Sequence, residues 1–180
     1  MDLRYPIGKL EPQPFMIDDK VNDAVKQQRL IDLKMLPGFL EQVVYDLDES
    51  QLDTPYRPEG WTVKQLVHHV ADSHMNAYMR FKHGLTEDNP TIKPYDENAW
   101  VLLSDSTNVP INISITLLFA LHARWYELLV NMTDEEWQRT VYHPEQKREI
   151  SLWDLLGIYS WHGKHHAAHV SELRERMNWN

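Results

Sequence analysis

The stretch that most narrows the possible folds is Trp161-His162-Gly163-Lys164-His165-His166-Ala167-Ala168-His169, where four of the chain's ten histidines fall within nine residues. It lies inside Ser151–Met177, a segment with helical apolar periodicity. Leu152, Leu155, Tyr159, Val170, Leu173 and Met177 recur at three- and four-residue steps and define one buried face. At ~100° per residue, His162 and His166 point within roughly 20–30° of the middle of that face. Four residues apart, their imidazoles lie one turn above each other. Two imidazoles aimed into a bundle core are costly unless something ties them together, and a divalent cation bound through neutral ring nitrogen would do so. Core histidines hydrogen-bonded to their neighbours are the plainer alternative. A third ligand must come from elsewhere in the chain.

Composition bounds the rest. A chain of 180 residues, 42% hydrophobic and 25% charged, suits one domain spanning 1–180 with a real core. The net charge of −9 argues against nucleic acid or an anionic membrane surface as the main partner. No apolar run is expected to approach the ~18 residues of a membrane span, and the acidic, proline-bearing N-terminus does not read as a signal peptide. With zero cysteines there is no disulfide, no thiolate catalysis and no sulfur-ligated zinc. That composition suits a reducing cytoplasm. Any metal here must be held by histidine and oxygen.

Along the chain, Met1 to about Asp19, with Pro6, Pro12 and Pro14, reads as an extended arm of roughly the first 20 residues laid over the body. From about Val21 to Leu47 a helical beat runs through Val25, Leu33, Leu36, Leu40 and Val44, with a kink or break expected at Pro37-Gly38. Thr62-Val63-Lys64-Gln65 is a capping box that opens a helix to about His83. Its buried stripe is Leu66, Val70, Ala77 and Phe81, and His69, Ser73, Asn76 and Arg80 line a polar shoulder. Gly84 to Pro110 is a long crossover with a short helix expected near Glu97–Leu103. It is long enough to return along a bundle ~30 Å in length, so the helices on either side can run parallel. Asn112 to Met132 is a third long helix, Thr133 to Glu136 caps a short turn, and Tyr142 to Ile150 reads as a loop. Ser151 caps the last helix. Four long amphipathic segments with no convincing strand predict an all-α helical bundle.

On the second long helix, His68 falls outside the apolar stripe and is expected to face solvent. His74 lies near the stripe's centre and His69 at its polar edge, where an open site at a cavity wall would put a ligand. His122 on the third helix also lies near a buried edge. Periodicity leaves His69 and His74 open as the third ligand.

The run Gly60-Trp61-Thr62-Val63-Lys64-Gln65-Leu66-Val67-His68-His69-Val70-Ala71-Asp72-Ser73-His74, paired with Trp161-His162-Gly163-Lys164-His165-His166, resembles the DinB/YfiT superfamily. The likeness is closest to its YfiT-like metal-dependent hydrolases from Gram-positive bacteria. It covers nearly the whole chain, including Arg4 to Gly8 and Thr86 to Thr91. The resemblance implies a four-helix bundle of up-down-down-up topology with one histidine from the second helix and two from the fourth on a divalent metal. Carried over by motif, these are His69, His162 and His166. It also implies a homodimer.

Three neutral histidines leave positions open on the ion, the mark of a catalytic site. Such an ion lowers the pKa of water towards ~7 and polarises a carbonyl, so hydrolysis follows naturally. A proton shuttle is not evident, and Tyr159, His74 and His165 are the candidates. The Glu-x-x-His motif of di-iron bundles and the His-Glu-x-x-His motif of metalloproteases are both missing. The superfamily resemblance also implies an S-transferase joining a low-molecular-weight thiol, bacillithiol in Gram-positive bacteria, to an electrophile. A metal-binding protein without turnover is the alternative of another class. Imidazole suits Zn2+ first and Ni2+ second. Trp61, Trp125 and Trp153 read as core or cap packing, and His83 and His143 as loop residues without a role.

Overall fold

Two of the four long helices start at a side-chain cap that the sequence supplies. In a computed structural model describing residues 3–18 and 20–179, Thr62 accepts from the Gln65 amide at 3.1 Å while the Gln65 side chain accepts from the Thr62 amide at 3.0 Å. This box opens α3 (Val63–Thr86). Ser151 takes the Asp154 amide at 3.0 Å and opens α8 (Leu152–Met177), which ends at left-handed Asn178. The other long helices are α1 (Asp23–Val44) and α6 (Ile111–Val130). Single turns fill the connections: α2 (Glu49–Leu52), α4 (Glu97–Trp100), α5 (Ser104–Asn108) and α7 (Asp134–Trp137).

The side-chain pairings fix the directions. Arg29, Asp32 and Arg174 tie α1 to α8 through Trp153, Ser160 and Val43, with both helices rising together. His68 meets Ser114 and His74 meets His122, so α3 and α6 are parallel as well. Arg80 meets Tyr159 while His69 meets His162, so α3 runs against α8. The helices are therefore up-down-down-up, packed in the ring α1-α6-α3-α8. Two parallel neighbours in the middle of the chain require the long crossover that the sequence contains.

Two apolar layers fill the bundle. One gathers Leu33, Phe81, Trp125, Leu156 and Tyr159, and the other Leu40, Leu66, Leu118 and Val170. Histidines from three of the helices separate them: His69 and His74 on α3, His122 on α6 and His166 on α8 are buried at that middle level, with His162 on α8 partly buried beside them. A buried polar stratum is tolerated only if its members satisfy one another.

Four readings of the sequence need correction. Tyr142 to Ile150 is no loop: β3 (Thr140–His143) and β4 (Arg148–Ser151) form an antiparallel hairpin, with Thr140 opposite Ser151. Its alternation is too short and too polar to stand out. Of the kink or break expected at Pro37-Gly38, the break does not occur: α1 runs through both residues. His68 does not face solvent. It is 4% exposed and donates from Nε2 to the Val109 carbonyl at 3.0 Å, while Ser114 lies 2.7 Å from Nδ1. A single helix's apolar stripe cannot show that α6 and the crossover cover its other flank. Finally, Ile111–Val130 is long and apolar enough to cross a membrane by length and composition, although a third (33%) of its apolar 18-residue window is buried in the bundle.

The N-terminal arm lies over the body where it is described. Trp153 Nε1 donates to the Gln13 carbonyl at 2.7 Å, and Phe15 packs edge-on against Trp153. Past it, β1 (Met16–Ile17) and β2 (Lys20–Val21) pair antiparallel. Residues 1, 2 and 19 of the expected arm lie outside the described residues.

Candidate metal centre

His162 and His166 project from one face of α8 a turn apart, with Nε2 atoms 3.1 Å from each other. Across the groove, α3 brings His69 Nε2 to 3.3 Å from His162 Nε2. All three nitrogens lie within 4.8 Å of one another, the single cluster of this kind among the described residues. Two ligands ~2.05 Å from one ion at a tetrahedral angle stand about 3.3 Å apart, so the spacing matches a shared cation.

The tautomer of His162 follows from a chain of hydrogen bonds that starts at Pro37. Proline has no N–H, so the carbonyl of Leu33, four residues earlier, has no helical donor. His122 Nδ1 donates to that carbonyl at 2.6 Å. Neutral His122 therefore presents a lone pair at Nε2, which His74 Nδ1 meets at 3.0 Å. His74 Nε2 is in turn an acceptor for His162 Nδ1 at 3.2 Å. The result is a lone pair on His162 Nε2, facing His69 and His166. Burial keeps the relay neutral: His122 is lowered to about 4, and His74 and His162 well below the usual imidazole value. Two further imidazoles crowding one lone pair are poorly satisfied by hydrogen bonds alone. A cation satisfies all three, so the donor set fits a metal.

His69, lowered to about 4 by burial, and His166, lowered well below its usual value by burial and then by its histidine neighbours, are also neutral and ready to coordinate. Trp61 roofs them, with ring centroids 4.5 Å from His69 and 6.4 Å from His166. Its Nε1 is anchored on Asn98 at 3.2 Å. Trp61 is thus a wall of the site, contrary to the packing role expected of it, whereas Trp125 and Trp153 are core residues.

The cluster opens into a cleft of about 690 Å³. Its walls add Ser73, Arg80, Tyr95, His143 and Tyr159, with Trp161 at one side. Of the candidate proton shuttles, Tyr159 faces the cleft, and burial raises its phenol pKa. His74 lies behind His162 and outside the cleft, as a relay member. His165 also lines the cleft, stacked on Trp161 and paired with His169 at 3.0 Å. The sequence reading missed Tyr95 and His143. They come from the crossover and the hairpin, where no periodicity marks an inward face. Asn76 turns to a neighbouring hollow and bonds Asp72.

Comparison with known proteins agrees with the four-helix bundle that carries the site. The family model of the DinB superfamily matches residues 34–170. Over 178 residues, 99% of both chains, the sequence is 47% identical to a Bacillus mycoides (strain KBAB4) protein provisionally named a metal-dependent hydrolase. YfiT of Bacillus subtilis (strain 168), which carries the same provisional name, is 47% identical over 179 residues, 99% of this chain and 98% of YfiT. The solved structure of YfiT is described as a probable metal-dependent hydrolase with an unusual four-helix bundle topology. It superposes with a TM-score of 0.92, covering 100% of each chain.

Proposed function

Since this chain belongs to the DinB superfamily, we propose that it is a metal-dependent hydrolase of small molecules whose ion is held by His69, His162 and His166. The observation that carries the reading is the convergence of three neutral Nε2 donors on one wall of an open cleft. A divalent ion there supplies Lewis acidity and lowers the pKa of water towards ~7. The protein's own part is to keep the three imidazoles deprotonated, to fix the His162 lone pair through His74 and His122, and to shield one side with Trp61. Zn2+ is the first choice and Ni2+ the second, since imidazole suits both.

A second reading rests on what the donor set lacks. Among the described residues no carboxylate joins the cluster, so a hydrolase has no obvious base beside it. A thiol, with a pKa near ~8.5, loses its proton to solvent far more readily than water does. Thiol transfer from a low-molecular-weight thiol such as bacillithiol to an electrophile therefore needs less from this site. The apolar side chains that α6 leaves exposed, Ile113, Leu117 and Phe119, support a second copy of the chain as partner. The absence of cysteine supports a cytoplasmic setting.

The test is elemental analysis of the purified protein followed by assays of metal-loaded and metal-stripped samples. An ester and amide panel reports hydrolysis, and bacillithiol with a reactive halide reports transfer. Metal-dependent product in the first assay supports hydrolysis, and in the second thiol transfer. Stoichiometric metal with no turnover in either would assign a metal-binding protein instead.

A further inference from the structure

Two described cations line this cleft, Arg57 and Arg80, and they differ in what takes their donors. Arg57 at its mouth gives Nη1 to the Pro58 carbonyl at 3.2 Å and lies over the Tyr56 ring. On other faces, Arg139 bonds the Gly84 and Glu87 carbonyls, and Arg174 bonds those of Val43 and Tyr45. Half-buried Arg80 gives Nη1 to the Tyr159 hydroxyl at 2.5 Å, and among the described residues it has no carboxylate within ion-pair distance. Tyr159 is no counter-ion, because burial holds its phenol neutral. The charge of Arg80 also reaches Tyr95, pushed up to about 12 chiefly by burial, and His143, lowered first by burial and then by Arg80. A guanidinium with five donors, one of them placed, therefore faces neutral groups at the cleft wall.

The position matters as much as the vacancy. Tyr159 precedes His162 by three residues on α8, so the Arg80 head sits about one helical turn, ~5 Å, along the cleft from the cluster. The acidic residues of the lining, Glu59, Glu97 and Glu145, are exposed at the mouth, where water screens them. An ion on three neutral imidazoles keeps its full positive charge. The inner cleft is then positive at two points, although the chain carries −9.

We propose that this cleft selects substrates carrying a carboxylate a few bonds from the reacting group, and that Arg80 anchors that carboxylate. The planar fork of one guanidinium matches a planar carboxylate through two parallel N–H···O bonds. Arg80 is a substrate-anchoring residue in this account, which rests on the three-histidine reading above.

Calorimetric titration of zinc-loaded protein with alkyl hydroxamates ending in a carboxylate or in the isosteric carboxamide, over spacers of increasing length, tests it. The hydroxamate head chelates the ion, and the tails differ in charge alone. At one best spacer the carboxylate binds roughly tenfold or more tighter, as a charge-assisted hydrogen bond gives. In Arg80→Gln that preference disappears while carboxamide affinity stays, which also reports an intact fold. Arg80→Lys restores part of it. Equal affinity of the two probes in the wild type, or a preference that persists in Arg80→Gln, overturns the anchor and leaves the metal site standing. If neither probe binds more tightly to zinc-loaded than to metal-stripped wild type, the three-histidine reading falls and takes the anchor with it.

Discussion

Helix α8 carries two histidine pairs of the same spacing, and they end in different situations. His162 and His166 approach to 3.1 Å at Nε2, and His165 and His169 to 3.0 Å. Both pairs are buried or nearly so. The first pair faces α3, which offers His69 as a third donor and, behind His162, a relay through His74 and His122. The second faces aromatic rings instead: Trp161 at 4.3 Å from His165, Tyr56 at 4.3 Å from His169, and Tyr5 from the arm at 6.2 Å. Spacing on one helix makes a pair of donors, but the opposing element decides whether that pair becomes a site.

The largest effect expected from this contrast is on metal content. His162→Ala with His166→Ala should abolish stoichiometric zinc, read by elemental analysis after dialysis, while His165→Ala with His169→Ala retains it. Equal loss from both double variants would erase the distinction between the pairs. Next comes the facing helix. His69→Ala should weaken zinc by several orders of magnitude in a chelator competition, because it removes a proposed direct ligand. His74→Phe and His122→Phe remove outer partners and should cost about 10–100-fold each. A loss on His74→Phe larger than on His69→Ala would move the ligand assignment to His74.

How much of this was readable beforehand follows the same line. The proposed ligand pair on α8 is visible because helical periodicity and chemistry point the same way. Up-down-down-up topology and His69 came through resemblance, since apolar periodicity alone placed His74 nearer the core. It is in the core, but as a relay member. His68 was misread because a helix's own stripe cannot show that α6 and the crossover cover its polar flank. Tyr95, His143 and the roofing role of Trp61 depend on where non-periodic segments settle, which local pattern does not encode. Arg80 was visible as part of a polar shoulder, but its missing counter-ion is a tertiary fact.

Acid should act on the metal-free protein through the same buried stratum. In the unfolded chain a histidine titrates near 6.5, whereas His122 in the fold titrates at about 4 and His165 likewise. Between those values the unfolded chain binds more protons, so stability is complete above about 6.5 and declines as pH falls towards 4. Thermal unfolding of stripped protein should show a midpoint falling across that window. In His122→Phe the slope should be shallower, since one of the titrating groups is gone. An unchanged slope would mean that His122 is protonated alike in both states.

The smallest effect expected is also the one with opposed signs. Pro37 lies inside α1, where proline costs about 3 kcal/mol relative to alanine in an ordinary helix interior. Here part of that cost is offset, because the Leu33 carbonyl left without a helical donor takes His122 Nδ1 at 2.6 Å. In Pro37→Ala a new amide competes for that carbonyl. The helix should become more stable, raising the unfolding midpoint of the metal-free protein by a few degrees. At the same time His122 is held less firmly to one tautomer, His74 and His162 follow it, and zinc should bind a few-fold more weakly by chelator competition. A residue that served only the helix would shift the first measurement alone. Movement of both, in opposite directions, ties a proline on α1 to a nitrogen lone pair on α8 through two histidines that touch no substrate.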